Sequence, residues 1–237
     1  MTSLANVVDL IVFDFDGTIC ESADVKTDAF YRLYLDERGP EFATAVRDYH
    51  LEHVGISRFD KIVHVEEIML GRQCTDERLH LMAERFGSLV TDAVIAAPYC
   101  DGVPDFLDTF AGVVPMVIAS ATPTDELRHI VAARGLGSSF EAVEGSPSSK
   151  AEIINGFLVR RGAQASRTVV VGDQLSDLNG ARAAGVGFVG FRPLTNDRLF
   201  DNNVPVVAHF DQLGSAIISA MSRFAEHSLT TDRMDLT

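Results

Sequence analysis

Two aspartates end the first apolar segment of the chain, which reads VVDLIVFDFDGT over residues 7–18. Asp14 and Asp16 follow a run of β-branched and aromatic residues that predicts a buried strand over residues 8–14. Buried carboxylates this close together need a cation or a shared proton, because each disfavours the charge of the other. A simple turn, in which Asp16 caps the next element, is the alternative interpretation.

Further polar groups stand at three places where a predicted strand ends or a helix begins. Each alone has an ordinary explanation, since a Ser before a helix is commonly its N-cap, a Lys in a polar loop is commonly solvated, and an Asp can serve the helix dipole. In a parallel sheet, however, all of them would lie at the edge that already holds Asp14. They are Ser120 after the strand at 113–119, Lys150 at the start of a helix, and Asp173 with Asp177 after the strand at 168–171.

Together these residues have the chemistry of phosphoryl transfer. Asp14, Asp16 and Asp173 supply carboxylate oxygens of the kind that Mg²⁺ prefers, and the metal would draw in a phosphoryl group. Asp14 can then attack phosphorus, while Asp16 protonates the leaving oxygen and later deprotonates water. Ser120 and the backbone N–H groups after it can bind phosphate oxygens, and Lys150 can offset the charge of the transition state.

The elements needed to position these residues fall into two regions. From residue 98 onward strands alternate with helices, which is typical of a mostly parallel sheet with helices on both faces. Residues 24–94 instead carry apolar residues at three- and four-residue spacing and predict four helices, with Ser57 and Thr75 as N-caps. We therefore expect a Rossmann-like, doubly wound α/β core with an inserted helical-bundle cap. The core would span residues 1–20 and 97–237, and the cap residues 21–96.

Other boundaries follow from the same patterns. Glycine commonly ends a helix, because it adopts the left-handed backbone conformation found there. We expect cap helices to end near Gly39, Gly71 and Gly87. In the core we expect strands at 140–143, 186–190 and 204–207, and helices ending at residue 134 and spanning 149–160, 175–184 and 212–224.

Composition excludes several classes of partner. The net charge of −14 argues against a nonspecific nucleic-acid binder and against an anionic membrane surface. The three cysteines include no Cys-x-x-Cys pair, which favours a reducing compartment over a disulfide framework or a zinc site. No apolar run is long enough to cross a bilayer and no signal peptide is apparent, so we expect a cytoplasmic protein.

The order and spacing of the motifs resemble the haloacid dehalogenase superfamily, in particular its phosphatases with a helical cap after the first motif. The resemblance covers about residues 8–224. It implies Mg²⁺ as cofactor, and it argues against dehalogenase activity because true dehalogenases lack an aspartate at the position of Asp16. By resemblance the roles are Asp14 as nucleophile and metal ligand, Asp16 as acid/base with its carbonyl on the metal, Asp173 as ligand, Asp177 as support, and Ser120 and Lys150 as phosphate contacts. Thr18, Ala121 and Thr122 are expected to bind the substrate beside them.

In such enzymes the cap determines the substrate. The segment HVGISRFDK at 53–61 resembles the Gly-x-Ser-Arg loop of β-phosphoglucomutases, where Arg58 could bind a phosphate or carboxylate or remain solvated. Those mutases carry a proton-transferring histidine where this chain has Lys26, which we expect to be a solvated helix residue rather than an anion contact. Relatives that cleave carbon–phosphorus bonds form a Schiff base on a cap lysine, a role open in principle to Lys26 or Lys61.

The leading hypothesis is a Mg²⁺-dependent phosphomonoesterase that hydrolyses a small phosphorylated metabolite through an aspartyl-phosphate intermediate. A β-phosphoglucomutase-like phosphomutase, which passes the phosphoryl group to a second hydroxyl, is the near alternative. A catalytically silent member that only binds its partner is the third, and the intact set of acids, Ser120 and Lys150 speaks against it. The sequence names neither the substrate nor the oligomeric state.

Overall fold

A six-stranded, wholly parallel sheet forms the centre of the protein. The structure is a computed structural model that describes residues 4–191 and 199–234. Its strands are β1 Leu10–Phe13, β2 Met116–Pro123, β3 Ala142–Ser146, β4 Thr168–Gly172, β5 Gly187–Phe191 and β6 Val206–Val207. They lie side by side in the order β3-β2-β1-β4-β5-β6, which confirms the doubly wound α/β core.

Helices cover both faces of this sheet, and a further group is inserted between β1 and β2. Within the described residues, no helix combines the length and apolar composition needed to cross a bilayer. The helices are α1 Leu4–Val7, α2 Ala23–Glu52, α3 Arg58–His64 (continued by a π-helical turn, Val65–Met69), α4 Asp76–Ala96, α5 Val103–Phe110, α6 Thr124–Ala133, α7 Lys150–Arg161, α8 Leu175–Ala183 and α9 Leu213–Met234; 3₁₀ turns lie at Ala165–Arg167 and Phe210–Gln212.

Strand β1 shows how the apolar run at the N-terminus builds the core. Successive side chains of a strand point to opposite faces. Leu10 and Val12 pack into the cluster that includes the buried residues of α7 and α8. Ile11 and Phe13 pack into the larger cluster on the other face, which also takes in the apolar residues of the inserted helices. Burial on both faces explains why the run is continuously apolar.

Three predicted strand boundaries are corrected by the structure. Strand β1 is shorter than the predicted 8–14. Strand β2 begins later than the predicted 113–119, because the N–H groups of Val113 and Val114 close the end of α5 at Phe110. It also runs on past Ser120, with an irregular register against β3 after Ala119. Strand β3 lies two to three residues beyond the predicted 140–143.

The inserted helices confirm two predicted N-caps and correct one predicted helix end. The Ser57 and Thr75 hydroxyls accept backbone N–H groups at the starts of α3 and α4. Gly39 interrupts α2 with a non-helical backbone (φ 79°, ψ 173°), as expected for a helix end. Gly87 does not end α4 but lies inside it, where a Cβ would stand about 3.3 Å from Glu126 and 3.4 Å from Arg58.

The inserted helices α2–α4 join the core through two linkers that run side by side. The N–H of Glu21 donates to the carbonyl of Pro98 (3.0 Å), and the N–H of Cys100 donates to that of Ile19 (3.0 Å). From α6 of the core, the end of α4 is held by the guanidinium of Arg134, which donates to three carbonyls at 2.6–3.0 Å. The division into a core at residues 1–20 and 97–237 and a cap at residues 21–96 stays a prediction, and residues 1–3, 192–198 and 235–237 of the predicted core lie outside the described residues.

A buried ion pair ties α3 of the cap to α6 of the core. Both terminal nitrogens of Arg58 donate to the two carboxylate oxygens of Glu126, at 2.7 and 2.6 Å. The guanidinium also lies over the ring of Phe86, 4.6 Å from its centre. Gly87, next in α4, leaves the space that this pair occupies. The pair therefore holds the cap against the core in the conformation described.

Replacing Gly145 by Ala should strongly destabilise the core. A Cβ at Gly145 in β3 would overlap the backbone carbonyl oxygen of Thr122 in β2, which cannot move without breaking the sheet. We expect a loss of about 1–3 kcal/mol in the free energy of unfolding, measured in urea. Gly137→Ala is the matched control, because nothing lies within 4 Å of a Cβ there. Equal stability of the two variants would contradict this account of the β2–β3 contact.

Removing the carboxylate charge of Glu126 should loosen the cap. Glu126→Gln leaves the buried guanidinium of Arg58 without a counter-ion, a loss of up to about 3 kcal/mol for such pairs. We expect faster hydrogen–deuterium exchange at the linker amides of Glu21 and Cys100, with the exchange of β4 unchanged. The exposed, mid-helix substitution Glu84→Gln is the control. Unchanged linker exchange would show that the pair does not hold the cap.

Candidate active site

The aspartates of the first and fourth motifs meet because β1 and β4 are neighbours. Asp14 directly follows β1, and its N–H donates to the carbonyl of Val171 in β4 (2.9 Å). Asp173 directly follows β4. Between them the backbone turns through Gly17 (φ 81°), where a Cβ would lie against the Asp173 carboxylate. The sheet thus brings together two residues that are far apart in the sequence.

Three buried carboxylates form one cluster at this edge. Among the described residues, Asp14, Asp173 and Asp177 are the group that could hold a metal ion, with one oxygen of each within 4.8 Å of the others. Two neighbouring residues, Gln174 and Thr18, orient the carboxylates of this cluster, and the sequence motifs did not connect either of them with it. The Gln174 amide donates to Asp173 (2.7 Å), and the Gln174 N–H donates to Asp177 (2.9 Å). Thr18 donates to Asp173 (3.2 Å), so its hydroxyl contacts an acid.

Lys150 supplies the fixed positive charge beside the cluster. Its Nζ lies 2.8 Å from Asp14 and also contacts Asp177. Lys150 is the first residue of α7, which Ser149 and Glu152 begin with a complete capping box, so the backbone position of the lysine is well fixed. Burial alone would lower the pKa of Lys150, but Asp14 and Asp177 raise it above its usual range. Lys150 therefore stays charged.

One ammonium does not balance this cluster. Burial raises the pKa of Asp14, with a further increase from Asp177, although Lys150 opposes it. Burial and the charges of Asp14 and Asp177 likewise raise the pKa of Asp173 well above its usual value. Oxygen ligands that repel one another in this way suit a divalent cation such as Mg²⁺, which would lower both pKa values. The donor set present therefore fits the metal that the motifs predict.

Asp16 faces away from this cluster. Its carboxylate accepts hydrogen bonds from Ser22 (2.6 Å) and Thr122 (3.1 Å) and forms an ion pair with Lys26. Burial would raise the pKa of Asp16, but Lys26 and the hydroxyl donors outweigh burial and lower it. The Asp16 carboxylate is thus engaged by these three partners, which leaves its backbone carbonyl for the predicted contact with a metal.

A cavity of about 60 Å³ lies between the cap and these residues. Ser120 and Ala121 line it from the core, and the Ser120 hydroxyl accepts the N–H of Thr122 (3.1 Å). The space holds a few water molecules and suits a small ligand rather than a nucleotide. All the predicted phosphate and substrate contacts of the core except Thr18 line it, as do Asp14, Asp16, Lys26, Phe30, His50, Arg58, Lys61 and Phe86.

Two cap residues differ from expectation. Lys26 is not a solvated helix residue, because its Nζ contacts Asp16 and donates to Thr122 (2.7 Å). Arg58 lines the cavity, but its guanidinium is engaged by Glu126. His50, which the sequence analysis missed, lines the cavity beside Lys61. The sequence around His50 has an ordinary helical pattern and did not identify it as a site residue, because His50 meets Lys61 only when α2 packs against α3.

Comparisons with known proteins agree with this geometry. The family model of haloacid dehalogenase-like hydrolases matches residues 8–185. A phosphoglycolate phosphatase of Mesorhizobium japonicum is 26% identical over 241 residues, covering 92% of this chain and 98% of that protein.

Solved structures share the whole fold. A predicted phosphoglycolate phosphatase from Haemophilus somnus has a TM-score of 0.66 at 16% identity, covering 90% of this chain and 98% of its own. CbbY from Rhodobacter sphaeroides, solved with xylulose-(1,5)bisphosphate, has a TM-score of 0.70 at 16% identity, covering 89% and 99%. With the family model matched from β1 through α8, and with the inserted cap and the clustered aspartates in place, the chain belongs to the haloacid dehalogenase-like hydrolases.

Proposed function

We propose that the protein is a Mg²⁺-dependent phosphomonoesterase for a small phosphorylated metabolite, with phosphoglycolate as the first substrate to test. The observation that carries the proposal is the junction of Asp14 with Lys150, Asp173 and Asp177, of which Asp14 and Lys150 line a small cavity. The phosphoglycolate phosphatase relative, which this chain matches over nearly its full length, supports the choice of substrate.

In the first step a carboxylate oxygen of Asp14 attacks phosphorus. An O–P bond forms to Asp14 while the ester O–P bond breaks, and the departing oxygen takes a proton from Asp16, which carries that proton only when its ion pair with Lys26 is open. Lys150, 2.8 Å from Asp14, orients the nucleophile and offsets the charge of the phosphoryl oxygens. Bound Mg²⁺, held by Asp14, Asp173 and the Asp16 carbonyl with Asp177 in support, would supply further positive charge.

In the second step Asp16 takes a proton from water, which attacks the phosphoryl group on Asp14. The O–P bond to Asp14 breaks, and inorganic phosphate leaves with the free carboxylate restored. Lys26 and the hydroxyl donors lower the pKa of Asp16 against the effect of burial, which keeps its carboxylate deprotonated and free to accept this proton. The closed cap, held by Arg58 and Glu126, limits the entry of bulk water during the first step.

Replacing Asp14 by Asn should abolish turnover. We expect Asp14→Asn to lower kcat for p-nitrophenyl phosphate by at least about 10³-fold, because the nucleophile is lost. Asp108→Asn, at an exposed position in α5, is the matched control and should retain full activity. Substantial phosphate release by a folded Asp14→Asn protein would exclude the aspartyl-phosphate route. Conversion of a hexose 1-phosphate to an isomer by the wild type, without free phosphate, would instead establish a phosphomutase.

Removal of Mg²⁺ should also abolish activity. We expect dialysis against EDTA to inactivate the enzyme and added Mg²⁺ to restore it, because the buried acids then regain a counter-ion. Isothermal titration calorimetry with Mg²⁺ gives a readout that is independent of turnover. We expect Asp173→Asn to weaken Mg²⁺ binding by about 10-fold or more. Full activity in EDTA, or unchanged Mg²⁺ affinity of that variant, would contradict the assigned metal site.

A further inference from the structure

The lysines of this protein have an unusual distribution. The chain contains three lysines, Lys26, Lys61 and Lys150, and the rest of its 20 Lys and Arg residues are arginines. All three lysines line the cavity between cap and core. Every lysine of the chain therefore lines this cavity, and the partners of each lysine indicate which anions the cavity can bind.

Two of these lysines already have acidic partners. Lys26 pairs with Asp16, and Lys150 pairs with Asp14 and Asp177. Lys61 differs from both. Its side chain is among the largest fully buried ones, with 2% of the residue exposed, and among the described residues no carboxylate forms an ion pair with it. Its Nζ instead lies 2.9 Å from Nδ1 of His50.

The described surroundings of Lys61 leave its charge without an acidic partner. Its Nζ lies over the Phe30 ring, 5.4 Å from the ring centre, in a cation–π contact that favours the ammonium but does not replace a counter-ion, and His50 is also stacked on this ring. Burial, with a contribution from Lys26, lowers the pKa of Lys61 to about 7. Burial also lowers the pKa of His50 to about 3, so the imidazole is neutral at neutral pH and Nδ1 accepts from the ammonium. A buried ammonium without an acidic partner is costly unless an anion joins it.

The other charges near Lys61 do not provide that anion. From α2, Lys26 and His50 face the same cavity, and from its own helix Arg58 does so too. Glu126 is already engaged by both terminal nitrogens of Arg58. The cap side of the cavity thus carries an unbalanced positive group, opposite the acids of the core.

We infer that Lys61, together with His50, binds a second anionic group of the substrate, a carboxylate, at the end opposite the phosphate. This inference rests on the proposed function and names the substrate class as a short phosphorylated hydroxy acid. The phosphate would lie at Asp14, Ser120 and Lys150 on the core, and the carboxylate would supply the missing partner of Lys61 on the cap. The cavity of about 60 Å³ holds only a few water molecules, so a short substrate suits it.

If Lys61 binds the substrate carboxylate, replacing Lys61 changes the substrate preference, whereas replacing a lysine with a purely structural role does not. A lysine needed only for packing should be replaceable by Met without a change in substrate preference. A buried ammonium that lacks its anion lowers the stability of the substrate-free protein. We therefore expect Lys61→Met to raise the melting temperature while it impairs the use of acidic substrates. Lys61→Arg keeps a positive charge and should restore part of that use.

The kinetic experiment compares phosphoglycolate with 2-hydroxyethyl phosphate, which replaces the carboxylate by a neutral hydroxymethyl group. We expect Lys61→Met to lower kcat/KM for phosphoglycolate by about 100-fold, chiefly through KM. We expect less than about a threefold change for 2-hydroxyethyl phosphate. Equal use of both substrates by the wild type, or an equal loss on both in Lys61→Met, would overturn the inference and leave the proposed function intact. Hydrolysis of neither compound, and of no p-nitrophenyl phosphate, by the wild type would overturn the proposed function itself.

A second measurement needs no turnover. With ¹³C-labelled lysine the protein should show three side-chain Cε resonances, and the one absent from Lys61→Arg should titrate near pH 7. In the Asp14→Asn background, phosphoglycolate should raise that midpoint by about one unit or more, because a bound anion favours the ammonium. 2-Hydroxyethyl phosphate should not. An equal shift of this midpoint with both ligands would overturn the inference. Borohydride trapping of an aldehyde substrate on Lys61 would also overturn it, because Lys61 would then form a Schiff base rather than bind an anion.

Discussion

The arrangement of this site depends on the burial of negative charge at the ends of two adjacent parallel strands. Asp14 and Asp173 are placed there by the pairing of β1 with β4, and neither can move away without disrupting the sheet. Lys150 approaches from α7 and offsets part of the charge, while Gly17 allows the backbone to pass close to the Asp173 carboxylate. The charge that remains unbalanced is of the kind that a divalent cation would offset, and such a cation would in turn attract phosphate.

Ion pairs between buried or partly buried groups also form the contact between cap and core. Arg58 with Glu126, and Lys26 with Asp16, each join a cap cation to a core acid. The second pair involves the acid to which we assign proton transfer, and because Lys26 lowers the pKa of Asp16, separating the two would favour protonation of that carboxylate. A cap that closes through ionic contacts can be sensitive to the charge of the ligand beneath it, since each contact is stronger away from water.

Much of the core and of its site could be predicted from the sequence, because the signals are local. The apolar run before Asp14, the capping residues of α7 and the glycine turns identify elements whose order fixes which ends meet. Strand boundaries were less accurate, as at Ser120, because the register of β2 depends on its neighbours. The cap was predicted as helices but not as contacts. Gly87 marks a close approach between helices rather than a helix end, and His50 meets Lys61 only after α2 packs on α3.

The paired linkers at the base of the inserted helices have a consequence for how such proteins diversify. Ile19 hydrogen-bonds to Cys100, and Glu21 to Pro98, so the inserted segment leaves and re-enters the core at nearly the same point. Exchanging that segment for one of different length alters the closure entropy only slightly and leaves the order of the strands untouched. The base is therefore a natural junction for grafting, at which a foreign lid could be attached to an unchanged phosphoryl-transfer centre.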